Sequence, residues 1–485
     1  MPQLARPRSS SLFRRKPLTD TPADSGLKRV LGPGSLIALG IGATIGAGLF
    51  SLTGIAAGDN AGPAVTLSYI IAAIACGFAG LCYSELASMI PVAGSAYSYA
   101  YVTMGEMIAW IIGWDLVLEY AVGAATVSVS WSGYVTSLLS GWGIHLPARF
   151  TASPFQTVQL PDGSSASGIA NLPAAFIIVL ISMLLIRGTS QSARVNAIIV
   201  AIKLSVIVAF IGFGIPWIDT ANYHPFIPPN AGEFGHFGFS GVMRAAGTIF
   251  FAYIGFDALS TAAQETKNPK RDVPIGILGS LVVCAAAYVL FSFVLTGIVN
   301  YADMAGDPAP VATAIDRTGI TWLQIAIKLG IICGFTSVLL VLLLGQSRVF
   351  FAMSRDGLLP PLFSRTHARF HTPWLCNLFF MILTGVLAAF LPIAELGHMT
   401  SIGTLLAFTI VCAGVMILRH QEPERERGFR VPGNYVIPVL GILSCLVVMV
   451  SLDILTWVRL VVWLAIGMVV YFAYGRRKSL LSPQK

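Results

Sequence analysis

The sequence predicts an all-α integral membrane protein of twelve transmembrane helices. Apolar runs of about 20 residues, the length that crosses a bilayer core, recur along almost the whole chain. Of the 485 residues 55% are hydrophobic and only 11% charged, too few charges to clothe a water-soluble core of this size. Lys and Arg gather in alternate loops, the mark of a polytopic protein. The short alternating segments of a transmembrane β-barrel are not evident.

The apolar runs place spans at roughly 35–57, 63–90, 105–139, 171–187, 193–215, 241–264, 274–299, 322–350, 373–391, 396–419, 437–453 and 457–475. Before them stands a basic tail, residues 1–34, with Arg6, Arg8, Arg14, Arg15, Lys16, Lys28 and Arg29. Its first apolar run starts only near Ser35, and no cleavage signal follows a short apolar core, so a signal peptide is not expected. Arg187 and Arg194, then Lys267, Lys270 and Arg271, then Arg348, Arg355, Arg365 and Arg369 fall on the same side as that tail. So do Arg419, Arg425, Arg427 and Arg430, and the end of the chain, 476–485. Arg149, Arg317 and Arg459 fall on the other side. The positive-inside rule then sets both termini in the cytoplasm of a cell whose inner membrane the chain spans. The net charge of +8 is thereby accounted for without a nucleic-acid partner. Arg244 and Lys328 lie near outer span ends, where long side chains can snorkel.

Two spans carry similar interruptions. The first contains GATIGAG, Gly42 to Gly48, and the sixth contains FAYIGFD, Phe251 to Asp257. A Gly-x-x-x-Gly packing face accounts for the first taken alone. A second break one half-chain later points instead to an inverted-repeat transporter, whose binding site lies at the breaks.

The runs GIGATIGAGLF, CYSELASMIPVAGSAYSYAYVTMGE, GWDLVLEY, GFDALSTAAQETKNPKRDVPIGI and GQSRVFFAMSRDGLLP resemble the cationic-amino-acid-transporter branch of the amino acid–polyamine–organocation superfamily. The resemblance runs from about Leu27 to Arg477. It implies a LeuT-like fold of two inverted five-helix repeats, 35–215 and 241–419, with two further helices in 437–475 appended. Gln264 stands where that family often has a Glu before Glu265.

A break in a membrane helix frees backbone groups that must face a ligand or water. The N–H groups of Ile45, Gly46, Ala47 and Gly48 open the second half of the first span, where a helix N-terminus suits an α-carboxylate. Carbonyls near Thr44, Phe251 and Ile254 suit an α-ammonium, and the resemblance points to the same atoms. Lys203 lies in NAIIVAIKLSVIVAF about ten residues, or about 15 Å, from either interface, beyond reach of water. An amine at that depth is a proton-carrier candidate. The resemblance sets it between the first, fifth and eighth spans, with Thr336 and Ser337 as candidate neighbours. It also puts Phe335 at the floor of the pocket. Asp115 and Glu119, one turn apart, can both face the bundle interior. Glu119 is a candidate gate or a brace for the sixth span, and Asp257 a candidate N-cap after the break. Glu85 falls near the inner interface.

Seven cysteines without a Cys-x-x-Cys pair exclude a zinc site and a disulfide framework and read as packing residues. The seven histidines sit in loops or at span ends, and no HExxH, phosphate loop or Ser-His-Asp set is apparent. The expectation is a transporter, not an enzyme, with no cofactor or metal, moving amino acids with protons by alternating access. Small neutral substrates such as alanine are expected over arginine. The alternatives are a carrier of arginine and lysine, or an exchanger. A membrane enzyme is weaker, as is a channel, for which no TVGYG-type filter is present. Protons, the substrate and the bilayer are the expected partners, and a small membrane subunit stays open.

Overall fold

A computed structural model describes residues 12–16, 31–90, 95–160, 163–188, 193–257, 259 and 266–480. The first predicted span is three short helices, α1 (Pro33–Thr44), α2 (Ala47–Phe50) and α3 (Leu52–Ala56). Proline at the start of α1 needs no N–H partner and presets its φ. A turn at Gly62, whose φ of +61° favours a residue without Cβ, redirects the chain into α4 (Val65–Met89). Then follow α5 (Ser95–Thr103), α6 (Glu106–Gly141), α7 (Leu172–Arg187) and α8 (Ala193–Gly214). The second half of the chain runs through α9 (Gly238–Ile249), α10 (Pro269–Ile298), α11 (Pro310–Asp316), α12 (Thr321–Arg355), α13 (Trp374–Phe390) and α14 (Ile393–Gln421). It ends with α15 (Val436–Ser451), α16 (Ile454–Val470) and α17 (Arg476–Lys478).

Among the described residues seven helical stretches are long and apolar enough to cross a membrane, and α1, α7, α13 and α15 are shorter apolar helices. Ile74, Val208, Val282, Leu290, Val450 and Val469 stand exposed on their outer faces. In water such a belt would aggregate; in a bilayer it is the lipid face. The protein is therefore an all-α, multi-pass membrane protein. Helix α6, with 36 residues, matches the long span expected there, and α12, with 35, reaches five residues past its expected end at 350. At 1.5 Å per residue each is about 50 Å long, more than a 30 Å hydrocarbon core, so they tilt or project.

Three features go beyond the expectations. The short helices α5 and α11 carry no apolar run of spanning length, and a small hairpin, β1 (Thr157–Gln159) with β2 (Ser165–Ser167), folds within the loop before α7. Glu85, near the end of α4, is buried within the protein at 1% exposure. Its carboxylate is gripped by the Arg419 guanidinium through Nε at 2.9 Å and through Nη2, and accepts the Val431 N–H at 2.7 Å. The pair locks the C-terminal ends of α4 and α14 to the loop between α14 and α15. Lys328 and Arg244 do not simply snorkel. Lys328 pairs with Asp316 of α11 at 2.7 Å, and Arg244 reaches Ser451 O at 3.3 Å and Asp453 at 4.0 Å. Gln264 and Glu265 lie outside the described residues.

Candidate functional site

The two interrupted spans cross at their interruptions. Helix α1 ends at Thr44, Ile45 is extended (ψ 110°), and α2 begins again at Ala47. Helix α9 ends at Ile249, tightens through a 3₁₀ turn over Phe250–Tyr253, and runs into extended Ile254 (ψ 141°). Gly255, with φ of +120°, faces the α1 backbone so closely that a Cβ there would lie 2.7 Å from Ala43 C. A Cβ on Gly48 would collide with Ala252 Cα. Glycine at both positions is what lets the two broken backbones touch. Gly48 therefore serves the crossing: Ala252, not open space, covers its Cα.

Backbone groups at the crossing fall into two sets. The Ile45 N–H is not free, since it donates to Ile41 O at 2.9 Å. Gly46 O takes the N–H groups of Leu49 and Phe50, both at 3.2 Å, which leaves Gly46, Ala47 and Gly48 ahead of the first helical hydrogen bond of α2. Lys203 on α8 donates from Nζ to Gly42 O at 2.6 Å and Ile45 O at 3.0 Å. Its ammonium thus caps the negative end of α1, while its stem lies against Gly334 of α12. Tyr288 OH of α10 lies 3.1 Å from Thr44 O and 2.9 Å from Ala252 O, one hydroxyl bridging both breaks. Tyr69 OH of α4 donates to Gly48 O at 3.0 Å, and Phe251 O accepts the Ile254 N–H at 3.1 Å. The Thr44 hydroxyl oxygen is buried without a partner among the described residues.

Helix α12 meets the crossing differently from the expectation. The side chain facing Gly46 is Val338, whose Cγ2 would stand 3.3 Å from a Cβ there. Phe335 is one turn away, fully buried, edge-on to Phe50 at 6.0 Å and to Tyr134 at 5.5 Å between ring centroids. Thr336 and Ser337 spend their hydroxyls on their own helix, at Ile332 O (2.8 Å) and Gly334 O (2.9 Å). That internal bonding leaves the lysine to the carbonyls of α1.

Asp115, Glu119 and Asp257 are all buried, at 1%, 2% and 2% exposure. Asp115 lies against Gly403 of α14, and neither of its oxygens has a protein partner among the described residues. Tyr120 OH donates to Asp257 Oδ2 at 3.4 Å. Of the residues just after Asp257, only Leu259 is among the described ones. Tyr69, Tyr288 and Val338 were not singled out from the sequence. A signal for the tyrosines was present: a phenol inside an apolar run must find an acceptor there.

The family model described as amino acid permease matches residues 31–474. The chain belongs to the amino acid permease family. The permease is 45% identical to the branched-chain amino acid permease BcaP of Bacillus subtilis (strain 168), over 97% of this chain and 99% of that protein. It is 44% identical to the methylthioribose transporter of the same organism, over 98% and 100%. It is 38% identical to human cationic amino acid transporter 4, over 85% of this chain and 63% of that one. The permease is thus an amino acid transporter of the amino acid–polyamine–organocation superfamily, in keeping with the motifs.

Proposed function

We propose that this permease takes up neutral amino acids together with protons by alternating access, with both termini in the cytoplasm. The observation that carries the reading is the crossing of two broken spans, each of whose loosened backbone groups meet at Gly48 and Ala252. The α-carboxylate binds the N–H groups of Gly46, Ala47 and Gly48, and the α-ammonium binds carbonyls at Thr44, Phe251 and Ile254. Thr44 Oγ1, buried and unpartnered among the described residues, is a further acceptor for it. Twelve spans in two inverted repeats, 35–215 and 241–419, with the last two appended, account for this meeting. The short helices support the repeat: α5 follows the second helix of the first half, and α11 the second helix of the other.

Lys203 is the proton carrier. Protonated, it holds Gly42 O and Ile45 O and fixes the end of α1. Neutral, it keeps two N–H donors but loses the charge that strengthens both hydrogen bonds, and α1 is released to swing. Glu119 and Asp257 brace the sixth span. Phe335 and Val338 on α12 line the side-chain end with apolar groups, which suits alanine and disfavours a cation.

Branched-chain substrates are the second reading, since the names of two relatives, at 45% and 37% identity, carry that substrate. Proteoliposomes decide among these. An inward pH gradient is expected to accumulate labelled alanine, and excess leucine, arginine or methylthioribose reports the ranking by competition. Flux that follows voltage and concentration alone, with no pH-driven accumulation, overturns proton coupling.

A further inference from the structure

The sixth-span break is tied to the outer end of the bundle by hydrogen bonds that the cycle above leaves unused. A cavity of about 530 Å³ opens there between the end of α3, the start of α9 and the start of α14. Asp59, His236, Arg244, Glu395, His398 and Asp453 line it. His398 Nε2 lies 3.0 Å from Thr248 Oγ1 in the last turn of α9. The Thr248 hydroxyl spends its own proton on Arg244 O at 3.2 Å, so its lone pair faces the imidazole and Nε2–H is the donor. One turn further along α14, Ser401 Oγ donates to Thr248 O at 3.3 Å and accepts the Phe251 N–H at 3.1 Å. Two successive turns of α14 therefore grip the place where α9 loosens.

We propose that His398 is a positioning residue that reads the pH of the outer solution and sets substrate affinity through Thr248 and the Phe251 turn. The proposal rests on the outward orientation and on the site at the two breaks proposed above. Imidazole is the side chain whose ordinary titration falls between about pH 5 and 8. Its Nε2–H is present in both forms, but in the cation it becomes a charge-assisted donor, a stronger one. Acid outside thus tightens the grip on Phe251. The groups that face the imidazole nearly balance. Glu395 on its own helix is paired with Arg459 of α16, and Arg244 of α9 stands 4.0 Å from Asp453, which caps α16. Asp59 and His236 complete the cavity wall, the latter 3.7 Å from Glu233.

The test is KM for alanine counterflow, with equal pH on both sides so that no gradient acts, from about pH 8 to about pH 5. Wild type is expected to show KM falling several-fold with acid. In His398→Gln the amide keeps a donor for Thr248 but cannot titrate, and KM is expected to be flat. In Thr248→Val the acceptor is gone, and KM is expected to be raised at every pH and flat. A wild-type pH profile in either variant overturns the proposal, and in His398→Gln it assigns the titration to another group such as His236. PH-gradient-driven accumulation, measured in the same wild-type vesicles, reports separately on proton coupling.

Discussion

The Lys203 ammonium joins two things a membrane interior rarely holds, a charge and a pair of loosened carbonyls, and each satisfies the other. Its burial was legible because it stands mid-way along an apolar run, beyond the reach of a snorkelling side chain. Its partners were not, since Gly42 O and Ile45 O are backbone atoms that exist as acceptors only once α1 is broken. Val338 was illegible for another reason. The run VLLVLLL is apolar all round, so nothing in it marks which residue faces Gly46. The glycines were legible as a break but not in their separate uses. Gly48→Ala sets a Cβ against the Ala252 backbone, which cannot retreat, and is expected to cost about 1–3 kcal/mol. Gly46→Ala meets only the Val338 side chain at 3.3 Å and should be milder. Thermal melts in detergent compare them; a Gly48→Ala protein that melts with wild type places the crossing elsewhere.

Helices were readable where an apolar run exceeded the spanning length, and α5 and α11 escaped because theirs do not. Glu85 and Arg419 escaped because they are 334 positions apart, and only the approach of α4 to α14 makes them a pair. Removing one partner of a buried ion pair strands the other charge and costs about 3–5 kcal/mol. Arg419→Ala is therefore expected to lower the melting temperature far more than Lys270→Ala, whose partner Glu426 is largely exposed. Equal effects would mean that the C-terminal ends of α4 and α14 are held by something else. Between the broken spans and α10, Tyr288→Phe removes the one hydroxyl that reaches both Thr44 O and Ala252 O. Leaving a buried acceptor unpaired costs about 1–3 kcal/mol. The expected result is a raised KM with the fold retained, checked by counterflow and melting together; an unchanged KM separates this tyrosine from the site.

At the scale of the whole molecule, specificity and coupling follow from what the bundle encloses. If Phe335 and Val338, both buried apolar side chains of α12, close the side-chain end as proposed, a guanidinium seated there would be unpaired at a cost of several kcal/mol. Excess arginine is accordingly expected to leave alanine counterflow nearly unchanged, and displacement as effective as by alanine itself would require a deeper or acidic pocket. The proposed coupling places its proton on Lys203, the amine held against Gly42 O and Ile45 O at the crossing. The most direct measurement is pH-gradient-driven uptake of labelled alanine by Lys203→Met in proteoliposomes, with a melting curve as the check on folding. The account predicts a folded protein that no longer accumulates alanine against its gradient. Accumulation at the wild-type rate would contradict it.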